Sequence, residues 1–108
     1  MSITIEDLKK IDLRVGKVIE AKRIEGTDKL LLLKVSLGNE TRNIVAGIGD
    51  QYEPEYLLGR NIVIVANLKP RVIRGIESQG MMLCAVDEEE NVYPITTLGD
   101  AKEGSKVY

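Results

Sequence analysis

The stretch "TRNIVAGIGDQYEPEYLLGRNIVIVA", residues 41–66, decides the fold. Thr41 to Ile48 reads as a strand, and Ile62-Val63-Ile64-Val65-Ala66 is a β-branched run of the kind buried on both faces. Between them, Pro54 stands near a helix start and Gly59 just past a helix end, so the spacing predicts one short helix at about 53–58. It suits the end of a small barrel.

Working outward, Gly38-Asn39 is a tight hairpin turn that joins Thr41 to an earlier strand, Leu30 to Leu37. That strand puts Leu31, Leu33, Val35 and Leu37 on one face. Before it, Leu13 to Ile24 also reads as a strand, but its alternation slips: Leu13 and Val15 share a face and Val18 falls on the other. A bulge near Gly16 is expected to absorb the slip and bend the strand. Thr4 and Asp7 form a near capping box, followed by Ile5, Leu8 and Ile11 at helical spacing, which predicts a helix at about 4–10. Downstream come a strand at Met81 to Val86, an acidic turn at Asp87 to Asn91, and a return at Val92-Tyr93. The expected class is therefore all-β. Its architecture is a five-stranded OB barrel with a short helix between strands 3 and 4 and short extensions at both ends. Residues 1–108 are expected to form one domain, with the barrel core at about 11–95.

Composition narrows the chemistry. Lys plus Arg is 15 and Asp plus Glu is 17, so the net charge is 15 − 17 = −2, and any nucleic-acid site must be a local patch. There is one cysteine and no histidine, which excludes an internal disulfide and a Cys/His zinc site. Cys84 reads as a small buried core residue. Glu88-Glu89-Glu90 lies in a turn without converging partners and reads as solvated. No nucleophile–base pair or phosphate-binding glycine loop is visible, so no catalysis and no cofactor is expected. The first residues lack a basic region followed by an apolar stretch, and no apolar run approaches the roughly 20 residues of a membrane helix. The expectation is a cytoplasmic protein with no membrane partner.

One segment stands out against this acidic background. Residues 59–80 carry Arg60, Lys69, Arg71 and Arg74 against Glu77, a balance of 4 − 1 = +3. Residues 87–103 carry six acids against Lys102, or −5. Pro70 stiffens the basic loop, Gly75 and Gly80 permit close backbone approach, and arginine offers a planar fork for phosphate. In the loop Thr27-Asp28-Lys29, Asp28 is placed to bond turn amides while Lys29 points outward, and structural and binding roles are balanced. The tyrosines are Tyr52, Tyr56, Tyr93 and Tyr108, with Tyr52 and Tyr56 expected to anchor the short helix. Without Phe or Trp, the chain is poorly equipped to stack single-stranded bases. Recognition of a folded RNA by backbone and shape suits it better.

Three blocks carry a family resemblance: "IDLRVGKVIEAKRIEGTDKLLLLKVSLG" (11–38), "RNIVAGIGDQYEPEYLLGRNIVIVANLKP" (42–70) and "RGIESQGMMLCA" (74–85). They resemble the tRNA-binding domain of structure-specific tRNA-binding proteins. The same module is fused to or paired with methionyl-tRNA synthetases and occurs in the EMAP-II-like cytokine and a yeast synthetase cofactor. Asp-Leu-Arg-Val-Gly-Lys, Asn-Leu-Lys-Pro and Ser-x-Gly-Met are its most specific blocks. The resemblance implies an OB barrel that embraces the outer corner of tRNA without reading the anticodon, free-standing or as partner of a methionyl-tRNA synthetase catalytic subunit. Carried over by position, the RNA-facing residues are Lys29, Arg42, Asn67, Lys69, Arg71, Arg74, Ser78 and Met81. The resemblance also implies a homodimer built from elements outside the barrel. Ile3, Ile5 and Leu8, with Tyr93, Ile95 and Leu98, supply the apolar material for its seam. Gly26-Thr27 stands where the family commonly has Asn-Ala, and Arg71 keeps charge where lysine or alanine is usual. A related export-chaperone family shares the fold and the dimer but lacks Ser-x-Gly-Met. Peptide binding is thus the alternative function, and a plain protein-interaction module the third.

Overall fold

A computed structural model describes all of residues 1–108. Thr4 caps the first helix, α1 (Ile5–Lys9), with the expected reciprocal box: its Oγ1 accepts from the Asp7 N–H, and the Asp7 carboxylate accepts from the Thr4 N–H, both at 3.1 Å. The chain then enters β1 (Leu13–Arg23), the strand around which the sheet is organised. Its first half pairs antiparallel with β4 (Asn61–Val65), and its second half pairs with β2 (Leu31–Ser36). One long strand serving two neighbours in succession must bend. The bend lies at a register shift between Val18 and Glu20, not at Gly16 as the alternation suggested. Gly16 has a different duty, since a β-carbon there would overlap Val35 Cγ1. Its bare backbone lets Val35 pack across the inside of the curve, and Val35 is fully buried.

β2 pairs with β3 (Thr41–Ala46) in unbroken register across the predicted Gly38-Asn39 turn. After β3 comes α2 (Pro54–Leu57), shorter than expected but in the expected place, with proline in its first turn. α2 delivers Leu57 into the core, where Val18, Leu31, Leu33, Val35, Ile44, Ile62, Ile64 and Met82 meet it. The order β3-β2-β1-β4-β7 makes a nearly closed five-stranded barrel, with β7 being Met81–Met82. The helix between the third and fourth barrel strands is the OB arrangement that the sequence implied.

Three features depart from the sequence reading. The basic loop is itself a hairpin, β5 (Arg71–Ile73) with β6 (Ile76–Ser78). The expected strand at 81–86 breaks at Leu83 into β7 and β8 (Cys84–Val86), because β7 pairs with β4 while β8 pairs with β9 (Val92–Pro94). Finally, β10 (Lys106–Val107) adds to the first two residues of β1, continuing the line of β2. Cys84 is only partly buried, and burial pushes its thiol pKa up. Of the two helix tyrosines, Tyr52 packs on the core and donates to the Val92 carbonyl at 2.9 Å, while Tyr56 is exposed beneath the Arg60 guanidinium. No helix is long and apolar enough to cross a membrane.

Candidate nucleic-acid interface

The chain leaves β4 at Val65 and projects the β5–β6 hairpin from that end of the barrel. Its tip is Arg74-Gly75, both with positive φ (54° and 78°), as a two-residue primed turn requires. Arginine is a costly choice there, since a β-carbon disfavours the left-handed region. Gly75 has open space around it, so the tip is unobstructed. The Arg74 guanidinium leans toward the β1–β2 loop: a β-carbon on Gly26 would stand 3.5 Å from Arg74 Nη1. That loop carries Lys29, whose stem crosses Gly47 with its Cε 3.7 Å from where a β-carbon there would sit. The loop is itself braced from below. Arg23 Nη1 donates to the carbonyls of Asp28 (2.9 Å) and Gly49 (2.8 Å), and the Gly49 N–H reaches the Lys29 carbonyl at 2.7 Å. Thr27 Oγ1, rather than Asp28, accepts the turn amides of Lys29 and Leu30.

Lys29, Lys69, Arg71 and Arg74 are all exposed, and none takes part in the five ion pairs of the chain. Four unpaired cations on one projecting hairpin and its neighbouring loop are equipped to meet phosphates. Met81 lies at the foot of the hairpin and is 42% exposed.

The other three residues singled out from the sequence have structural work. Ser78 is only 1% exposed. Its Oγ accepts from the Val45 N–H at 3.0 Å and donates to the Gly80 carbonyl at 3.2 Å. Asn67 has spent its amide on the segment after α1, accepting from the Asp12 N–H (2.9 Å) and donating to the Lys10 carbonyl (2.7 Å). Arg42 pairs with Glu40 through Nε and donates from Nη1 to the carbonyls of Ala66 (2.7 Å) and Gln79 (3.1 Å). These groups fix the two roots of the hairpin. They hold it in place, with its cations left exposed.

The sequence reading missed the outer face of the barrel beside this loop. Lys22, Leu32, Lys34 and Asn43 line a shallow groove there, with Lys34 paired to Glu20 at 3.2 Å. The signal was present in the alternation of Leu31 to Ser36, whose outward positions include Leu32 and Lys34. The turn between β8 and β9 carries the opposite charge. Asp87 accepts from the N–H and the side-chain amide of Asn91 and from the N–H of Glu89, and these bonds hold its carboxyl below the usual range while Glu88, Glu89 and Glu90 stay exposed. The strand that follows this turn is tied to the segment leading into α2, because the Val92 N–H bonds Gln51 Oε1 at 2.9 Å.

Residues 13–106 match the family model described as "Putative tRNA binding domain". The chain belongs to this tRNA-binding domain family. A methionine–tRNA ligase of Deinococcus radiodurans is 52% identical over 105 residues, covering 97% of this chain and 15% of the ligase. One from Pyrococcus horikoshii is 50% identical over 105 residues, with 97% and 14% covered. The chain therefore spans about 15% of the length of the ligases it matches. Among solved structures, a MetRS-related protein from Pyrococcus horikoshii superposes with a TM-score of 0.95 at 40% identity, covering 100% of this chain and 99% of that one. The chaperone CsaA of Bacillus anthracis superposes with a TM-score of 0.90 at 28% identity, covering both chains fully.

Proposed function

We propose that this tRNA-binding domain grips the outer corner of folded tRNA by its phosphates and shape, without catalysis. It would act free-standing or beside a methionyl-tRNA synthetase catalytic subunit. The observation that carries this reading is the set of four exposed, unpaired cations, Lys29, Lys69, Arg71 and Arg74, on the hairpin and the loop it leans toward. With no aromatic platform among them, they engage backbone and not base sequence. Filter binding of the purified protein to tRNA transcripts tests it. Affinity is expected to survive replacement of the anticodon and to be lost on an isolated anticodon stem-loop. A strong preference for one anticodon would overturn the reading, and preferential capture of a denatured peptide over tRNA would favour the chaperone alternative.

The same reading includes a homodimer. α1 and β10 enclose an apolar groove of about 260 Å³ lined by Ile5, Leu8, Ile11, Val107 and Tyr108, and Ile3 is exposed nearby in sequence. Tyr93, Ile95 and Leu98 do not share this groove. Thr96 and Thr97 bond Asn61 at the start of β4, whereas α1 is tethered to Asn67 beyond its end, a span of roughly 20 Å for an extended chain. The seam we propose is therefore built on α1 and β10, with Tyr93 to Leu98 lying apart from its centre. Two hairpins related by a two-fold axis would raise avidity for one folded RNA. Sedimentation is expected to give twice the chain mass at micromolar concentration, and deletion of residues 1–10 to give a monomer with much weaker tRNA binding. A full-length monomer that binds tRNA tightly would exclude the dimer.

A further inference from the structure

The barrel is not sealed by a ladder between β3 and β7. Ser78 and Gln79 bridge part of that seam with side-chain bonds to the N–H groups of Val45 and Asn43. Below the bridge an apolar slot of about 200 Å³ opens between residues 45–48 on one side and Met81, Met82 and Cys84 on the other. Val45, Ile48 and Met82 form a buried apolar lining, and Met81 stands at the rim.

The position of the slot is as informative as its lining. Gly47 belongs to its wall, and the Lys29 stem crosses Gly47. At the bridged end, Arg71 stands directly opposite Ser78 in the hairpin ladder, and Ser78 bonds Val45 of the same wall. Unpaired cations therefore stand along the 45–48 wall, at Lys29, and above the bridged end of the slot, at Arg71.

We propose that this slot receives one unpaired nucleobase of the RNA whose phosphates the hairpin holds, an inference that rests on the tRNA-binding reading above. A flat base buries two apolar faces, and its own nucleotide brings the anions that Lys29 and Arg71 can meet beside the slot. The Met81 thioether makes a favourable contact with an aromatic ring without needing a stacking platform. An apolar peptide side chain would fill the slot equally well but would leave the flanking cations without partners. The cavity is too small for a base pair, so the base that enters is one already free of pairing or one pulled out of the stack at a modest cost.

Cys84, the only thiol in the chain, lines the slot and reports on its occupancy. Its alkylation by N-ethylmaleimide at mildly alkaline pH is expected to slow about ten-fold when the full-length protein is saturated with tRNA, because the reagent loses access. Inorganic polyphosphate, which supplies phosphates without bases, is expected to compete for the cations and give no protection. In a second arm, Met81→Ala is expected to lower tRNA affinity two- to ten-fold with the salt dependence unchanged, since the lost contact is not ionic. If tRNA binds and Cys84 stays equally reactive, or if polyphosphate protects as well as tRNA, the base slot is wrong and phosphate gripping survives. If a denatured peptide protects Cys84 and tRNA does not, the slot belongs to a peptide. If the thiol is inert in the free protein, an unchanged affinity of Met81→Ala overturns the proposal. Failure of tRNA to bind at all would remove the parent reading instead.

Discussion

Gly80→Ala is expected to lower the unfolding free energy by about 3–5 kcal/mol, the sum of backbone strain and overpacking. Gly80 has φ of 140°, a region closed to residues with a β-carbon, and that carbon would stand 2.7 Å from the Val65 carbonyl oxygen. The carbonyl cannot step aside, because Val65 is held between Leu13 on one side and Met81 on the other. Ser78→Ala at the same seam is expected to cost about 1–3 kcal/mol, since it strands a buried Val45 N–H without an acceptor. Against a typical stability of about 5–15 kcal/mol, the glycine change alone leaves a marginal fold. Urea unfolding measures both, with the midpoints falling and the slope unchanged. A Gly80→Ala midpoint equal to that of the parent would mean that Gly80 does not lie against the Val65 carbonyl.

That seam shows where the sequence was legible and where it was not. The β-branched run at 62–66, the Pro54–Gly59 frame and the capping box at Thr4 are local signals, and each element appeared in its expected place. Ser78-Gln79-Gly80 was equally conspicuous, but Ser78 was given an RNA-facing role through the family resemblance and Gly80 one of close backbone approach. The job of Ser78 depends on Val45, 33 residues away in sequence, and no periodicity reports a side chain that substitutes for a ladder bond. The bonds of Asn67 and Arg42 to backbone groups at Lys10, Asp12, Ala66 and Gln79 were illegible for the same reason, since those groups lie far away in sequence. The cations needed no partner to be recognised. Lys29, Lys69, Arg71 and Arg74 were legible because exposure and charge are properties of the residue and its turn, not of a distant contact. The bulge was misplaced because a glycine in a strand signals either a kink or a close approach, and only the position of Val35 distinguishes them.

The largest functional effect is expected from reversing the hairpin charge. In the triple variant Lys69→Glu, Arg71→Glu and Arg74→Glu, three charge-assisted contacts at about 1.5–3 kcal/mol each are lost, so tRNA affinity should fall at least about 1,000-fold. The three side chains are exposed and lie outside every ion pair, so the unfolding midpoint should barely move. For the parent protein, log affinity should fall with log salt at a slope of about −2 to −4, as expected for a few phosphate contacts, and the triple variant should be nearly flat. Arg74 permits a sharper test, because its backbone and its charge pull in opposite directions. Its φ of 54° costs about 1–2 kcal/mol that glycine would not pay. Arg74→Gly should therefore keep or slightly raise stability, offset in part by the greater freedom of glycine in the unfolded chain. The same substitution should weaken tRNA binding and flatten the salt slope by about one unit. Arg74→Ala retains the strain and loses the same contact, so it should match Arg74→Gly in binding and fall below it in stability. If Arg74→Gly binds tRNA as the parent does, with the same salt slope, then the strained arginine at the hairpin tip serves no phosphate. The grip would then have to be carried by Lys29, Lys69 and Arg71 alone.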